Sequence, residues 1–229
     1  MPPEIGTVLV TGGSSGLGAA VVAAVGEAGG MPLVLDRAPP PDGAAYLPVD
    51  LADGAAAAAA VEEAARVHGG LHGVVTCAGT DSCGPLERVP AEEWERVVRV
   101  NLLGTAAVVR AALPHLERSR GRVVTVASTL GLRAVGDATA YCASKFGVVG
   151  FTRALAAETA GRVGVTLLVP GGMQTAFFDG RDEQYRPPAD AQLNRPEDVA
   201  AAVLFALAQP PGCEVRELVV TPATEPSWP

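Results

Sequence analysis

Lysine is almost missing from this chain: of its 17 basic residues, 16 are arginine and one, Lys145, is lysine. Beside the excess of alanine, glycine and proline, this looks like the product of a GC-rich genome, where Arg replaces Lys wherever charge alone matters. A lysine that survives such drift is a candidate for a position where a planar guanidinium cannot substitute, with chance as the bland alternative. Basic residues are also few beside 25 acidic ones, and the net charge of −8 excludes a phosphate-backbone partner such as DNA or RNA. The four cysteines, Cys77, Cys83, Cys142 and Cys213, follow no C-x-x-C or Cys/His spacing, so unpaired thiols in a reducing compartment are expected. Of three histidines, His68 and His72 stand four apart, but Gly69 and Gly70 break any helix between them and no third ligand is near. No metal site is expected. The longest uninterrupted apolar run, Val199 to Ala208, is half of the ~20 residues a membrane-spanning helix needs. The opening residues Met1, Pro2, Pro3 and Glu4 lack a basic region and an apolar stretch behind it, so the expected location is cytoplasmic.

What is present fits a packed domain. The 229 residues are 48% hydrophobic and 18% charged, with a mean hydropathy of +0.27, which is too apolar for a disordered chain. No repeat and no linker divides them, so one domain over residues 1–229 is expected. Short β-branched segments at Thr7–Val10, Leu33–Leu35, Tyr46–Pro48, Gly73–Thr76, Arg122–Ala127, Val165–Val169 and Leu218–Val220 alternate with helical stretches. The helices begin near Leu17, Asp53, Ala91, Asp137 and Pro196, and the Ala55–Ala60 run suits the second of them. Strands without polar alternation are buried on both faces. The pattern predicts an α/β chain of Rossmann type: a doubly wound, seven-stranded parallel sheet with helices on both faces. Ligands of such sheets bind beyond the carboxyl ends of the strands, so function is sought just after each strand.

After the first strand stands Thr11-Gly12-Gly13-Ser14-Ser15-Gly16-Leu17-Gly18. Gly12, Gly16 and Gly18 allow a tight turn and close approach to a pyrophosphate, which the following helix N-terminus attracts through its free N–H groups. An ordinary glycine-rich loop is the alternative. Asp36, ending the second strand, is placed to accept from adenosine ribose hydroxyls and to repel a 2′-phosphate. That points to NAD over NADP, although the neighbouring Arg37 could pair with a 2′-phosphate if Asp36 turned away. Asp50 and Leu51 follow the third strand, where Asp50 meets an adenine edge or caps the next helix; Asp53 could take the capping role instead.

Tyr141 and Lys145 stand one helical turn apart and share a face, behind Ser128 at a strand end and Asn101 in the long preceding helix. Together they suit proton transfer to a carbonyl oxygen. A free phenol has a pKa near ~10, and a nearby ammonium with a cationic nicotinamide ring would favour the phenolate. A serine hydroxyl could polarise the substrate oxygen.

With these residues in place the chain resembles the single-domain short-chain dehydrogenase/reductases from its first strand to near its C-terminus. The matches are Thr11–Gly18, Asp50-Leu51, Ala78-Gly79, Asn101-x-x-Gly104, Ser128, Tyr141-x-x-x-Lys145, and Pro170-Gly171 with Thr175, in order. The resemblance implies a hydride transferred between NAD or NADP and a small carbonyl or secondary alcohol, of the 3-oxoacyl reductase or alcohol dehydrogenase kind. It implies Tyr141 as acid and base, Ser128 as orienter, and Lys145 on the nicotinamide ribose, lowering the Tyr141 pKa. Asn101 would hold a relay water through a local backbone distortion. Ser14, Ser15 and Leu17 join the phosphate turn, while Pro170, Gly171, Met173 and Thr175 line the nicotinamide. It also implies a homotetramer or homodimer, supported by apolar residues on the helices near Ala91 and Asp137 beyond one core face.

Three departures stand out. Thr76 and Cys77 replace the two asparagines common before Ala78-Gly79. The segment from Ala176 to Arg195 is short for a lid, which suggests an open pocket. The tail from Arg216 to Glu225-Pro-Ser-Trp-Pro lacks the usual glycine pair. Arg133, Arg181 and Arg186 could bind a carboxylate or a carrier phosphate, although idle surface arginines are the simpler expectation. Phe177 and Phe178 could cover an apolar substrate or anchor the lid to the core. The other functional readings are a non-catalytic NAD(P)-sensing binding protein and nucleotide-sugar epimerisation. The first typically loses the Tyr or Lys kept here; the second wants a different glycine spacing and a separate substrate domain.

Overall fold

The computed structural model describes residues 5–41 and 43–227. Seven strands form one parallel sheet in the order β3-β2-β1-β4-β5-β6-β7. They are β1 (Thr7–Thr11), β2 (Met31–Asp36), β3 (Ala45–Pro48), β4 (Gly73–Thr76), β5 (Arg122–Val126), β6 (Gly164–Pro170) and β7 (Glu217–Val220). The helices are α1 (Gly16–Glu27), α2 (Gly54–Val67), α3 (Ala91–Val98), α4 (Thr105–Ser119), α5 (Thr139–Glu158) and α6 (Pro196–Leu207). β1 and β4 are buried at every residue, while the edge strands β3 and β7 are partly exposed, as their positions in the sheet require. On one face Leu9, Val74 and Val123 pack with Val108 and Leu116 of α4; on the other Val8, Val10 and Val75 pack with Val21 of α1 and Val203 of α6.

The helix expected from Ala91 is interrupted. Between α3 and α4 the backbone makes a π-helical segment, Arg99–Gly104, with Asn101 inside it. By length and composition the stretch Ala91–Ser119 is apolar enough to cross a membrane, with a mean hydropathy of 1.4 in its most apolar window. A search for unbroken apolar runs passes over it because isolated polar residues interrupt it. In the fold its apolar side, Val108, Val109, Ala112 and Leu116, is fully buried against the sheet. α5 starts at Thr139 rather than Asp137, because Asp137 is left-handed (φ 56°) and turns the chain into the helix.

The chain leaves β1 toward β2 and β3 on one side, then crosses to β4 on the other. The crevice between the carboxyl ends of β1 and β4 is the switch point where such sheets bind ligands.

Candidate active site

A cleft of about 1050 Å³ runs along the carboxyl edge of the sheet. All of the site residues expected from sequence border it except Ser14 and Asn101. At its nucleotide end β1 turns into α1. A Cβ on Gly12, whose φ is +70°, would sit 2.7 Å from the Ala78 backbone, and one on Gly18 would collide with the Gly12 carbonyl. Backbone thus meets backbone where β1 and β4 diverge, an approach that only glycine permits. Ser15 caps α1 by position, but its side chain makes no capping bond, and the first turn carries no acidic residue. The N–H groups of that turn are open to an anion from the cleft.

Asp36 is oriented by its own neighbourhood. Its Oδ1 accepts from the backbone of Arg37 at 2.6 Å and Ala38 at 3.4 Å, and its Oδ2 from Ser14 N at 3.0 Å. A carboxylate offers about four acceptor positions, so Oδ2 keeps capacity for a ribose hydroxyl. Ser14 accordingly serves the protein: its amide holds Asp36 and its hydroxyl donates to the Ala38 carbonyl. Asp53 is the cap of α2, accepting from Ala55 N and Ala56 N at 3.0 Å each, which frees Asp50 from that role. Asp50 accepts from Ala52 N and pairs with Arg96 at 3.0 Å, and these contacts hold its carboxyl below the usual range. Arg96 also borders the cleft, which no motif in the sequence signals. Its pairing with Asp50, 46 residues away, is made only by the fold.

At the reacting end, Lys145 is 4% exposed and donates from Nζ to the Val126 carbonyl at 2.9 Å. Burial pushes its pKa down to about 8. Nζ lies 5.6 Å from the centre of the Tyr141 ring. The protein's own groups do not acidify the phenol. Burial pushes Tyr141 up to about 12, outweighing the downward pull of the Ser128 hydroxyl and of Arg181. Desolvation is the largest influence on the phenol.

Asn101 lies inside the expected backbone distortion. Its side chain is 1% exposed: Oδ1 accepts from Thr80 N at 2.8 Å, and Nδ2 donates to Thr80 O at 2.9 Å and Ser144 Oγ at 3.0 Å. It clamps the loop after β4 to α5. Its backbone carbonyl accepts from the Thr105 hydroxyl at 2.9 Å and keeps a second acceptor position.

The lid is short yet pinned. Arg181 donates to Asp81 at 2.8 Å, with side chains 17% and 6% exposed, and its guanidinium lies 4.8 Å from the ring centres of both Phe177 and Phe178. Phe177 in turn packs on Tyr141, centroids 5.6 Å apart, and the Tyr185 hydroxyl donates to Asp137 at 3.0 Å. The phenylalanines link the lid to Tyr141 and Arg181 while both border the cleft. Arg133 donates to the Pro226 carbonyl and Arg186 to the Arg181 carbonyl, so all three arginines considered for a carboxylate or carrier phosphate are engaged within the protein. Asp81 is a site residue that sequence reasoning misses, since a single loop aspartate carries no signal until a partner one hundred residues away folds onto it.

Comparison with known proteins gives the same picture. A protein-family model described as short chain dehydrogenase matches residues 6–186. An uncharacterized oxidoreductase of Staphylococcus aureus strain MW2 is 31% identical over 93% of this chain and 96% of its own length. L-fucose dehydrogenase of Mus musculus is 30% identical over 95% and 88%. Among solved structures, a protein of Thermus thermophilus superposes with a TM-score of 0.80 at 31% identity, covering 93% of this chain and 96% of that one. A short chain dehydrogenase of Burkholderia cenocepacia in complex with NADP gives 0.84 at 27% identity, covering 95% and 97%.

Proposed function

The chain belongs to the short-chain dehydrogenase family, and on that premise we propose an NAD-dependent oxidoreductase acting on a small secondary alcohol or its carbonyl, built as one domain over residues 1–229. The observation that carries this reading is a single cleft with a glycine turn and Asp36 at one end and Ser128, Tyr141 and Lys145 at the other. When bound, the nicotinamide supplies the carbon that gives or takes the hydride. The residues of the chain do the rest. The α1 turn binds the diphosphate, with Gly12, Ser15, Gly16, Leu17 and Gly18 shaping it. Asp36 holds the ribose hydroxyls, and Arg37, Asp50, Leu51, Ala78 and Gly79 surround the adenosine. Pro170, Gly171, Met173 and Thr175 line the nicotinamide side. Ser128 orients the substrate oxygen, and Tyr141 holds the transferable proton at Oη. Lys145 reaches the nicotinamide ribose, and Asn101 positions the loop after β4.

The Burkholderia structure binds NADP, whereas Asp36 supports NAD here. A 2′-phosphate about 4 Å from a carboxylate is disfavoured by roughly 4 kcal/mol per charge pair at intermediate dielectric, less with solvent screening. Asp36→Ala is therefore expected to lower the NAD-over-NADP ratio of kcat/KM by about a hundredfold. Steady-state rates with both cofactors measure it, and an unchanged ratio removes Asp36 from cofactor selection. The test of the reading as a whole is purified protein, each cofactor, and a panel of ketones, secondary alcohols and aldoses followed at the nicotinamide absorbance band. Turnover is expected; its absence across the panel overturns the reading.

We also propose a homodimer or homotetramer. Leu103 beside α4 and Phe146 on α5 are 55% and 44% exposed, and Phe205 on α6 and Val219 on β7 are 56% and 41% exposed, which supports two self-associating faces. Sedimentation at micromolar concentration is expected to give a multiple of 23.2 kDa; a monomer rejects it.

A further inference from the structure

The short lid and the atypical tail are left unexplained by the chemistry above, and in the structure they share one wall of the cleft. Beyond β7 the chain turns back so that Thr224 to Ser227 border the cleft beside Gly171 and Gly172. Glu225 holds it there. Its Oε2 accepts from Gly172 N at 2.9 Å, and its Oε1 accepts from Ser227 N at 3.2 Å and from the Ser227 hydroxyl at 2.5 Å. Ser227 Oγ also pairs with Thr129 Oγ1 at 2.7 Å, and Arg133 donates to the Pro226 carbonyl at 3.1 Å. A Cβ at Gly171 would collide with the Glu225 carboxylate, so the loop and the tail fit each other through a missing side chain. The tail thereby straps the loop after β5, which carries Ser128, to the loop after β6, which carries Gly171 to Thr175.

The strap also sets the local charge. Among the described residues around the lid and the tail, the cleft is bordered by Asp81, Asp137, Asp190 and Glu225 against Arg181 alone, and Arg181 is neutralised by Asp81. On this side of the cleft an anionic substrate meets carboxylates in excess of arginines, while the Lys145 ammonium is directed at the Val126 carbonyl.

We propose that the C-terminal strap is the substrate-side wall of the active site, and that Glu225 is a specificity-determining residue that excludes anionic substrates and favours neutral, hydroxylated ones. The specificity part rests on the oxidoreductase reading above; the strap itself does not. The test compares kcat and KM for methyl 3-hydroxybutanoate and 3-hydroxybutanoate, and for D-glucose and D-glucuronate, in the wild type and in Glu225→Gln. The amide oxygen of Gln can still accept from Gly172 N, so the variant removes the charge and keeps the bond to the loop after β6, giving up the acceptor that faces Ser227. The wild type is expected to favour the neutral member of each pair. Glu225→Gln is expected to shrink that preference about tenfold, through a lower KM for the anion, with cofactor affinity unchanged. An unchanged preference overturns the specificity role. If the wild type turns over nothing, the oxidoreductase reading fails, and hydrogen exchange still decides the strap. The Gly172 amide is expected to be protected in the wild type and to lose protection in Glu225→Ala while β1 amides do not; equal protection in both proteins overturns it.

Discussion

Tyr141→Phe is expected to lower turnover by about 10³-fold while leaving cofactor affinity and fold in place. The phenol is the group in the cleft that can carry a proton to a carbonyl oxygen. Burial pushes its pKa up to about 12, so the phenol is protonated throughout the neutral range. Its ring packs on Phe177, a contact Phe preserves, so the variant removes the proton and little else. Rates at the nicotinamide absorbance band and calorimetric cofactor titration measure the two effects. Retention of more than about a tenth of wild-type activity would remove Tyr141 from the proton-transfer step.

Lys145→Met is expected to cost at least about 10²-fold in turnover and to stabilise the protein in a pH-dependent way. The lysine pKa stands at about 8 in the folded chain against 10.5 for the ordinary group. Between these values the unfolded chain binds more protons, so this group's contribution to stability rises with pH from 8 to 10.5. Below pH 8 its full cost applies, about 3 kcal/mol from the width of the shift. The Met variant lacks that cost and gives up the bond to the Val126 carbonyl, which offsets part of the gain. The stability difference between variant and wild type should therefore be most favourable to Met near neutral pH and fall toward pH 10.5. Urea unfolding at the two values reads it, and a difference independent of pH would contradict a desolvated ammonium. Carbonyl reduction by the wild type should decline above about pH 8 as the same group loses its charge.

How much of this is legible in the residues follows from the range over which each feature acts. The glycine turn can be read because Gly12 and Gly18 answer to atoms a few residues away or in the next loop. Tyr141 and Lys145 can be paired because one helical turn sets their spacing, whatever lies around the helix. The bonds of Ser14 to Asp36 and Ala38 carry no signal in the sequence, because those partners stand across a strand junction. Arg181 looks idle because Asp81 reaches it only when the lid folds over the loop after β4.

Alternation of β-branched strands with helices, and chemistry placed behind the strand ends, were decided by local pattern and by the burial of a parallel sheet on both faces. The direction of the Tyr141 and Lys145 pKa values, the engagement of the three arginines and the place of Glu225 in the cleft were decided only by the assembled fold. Desolvation and long-range ion pairing depend on what surrounds a group in three dimensions, and one-dimensional spacing carries no record of that.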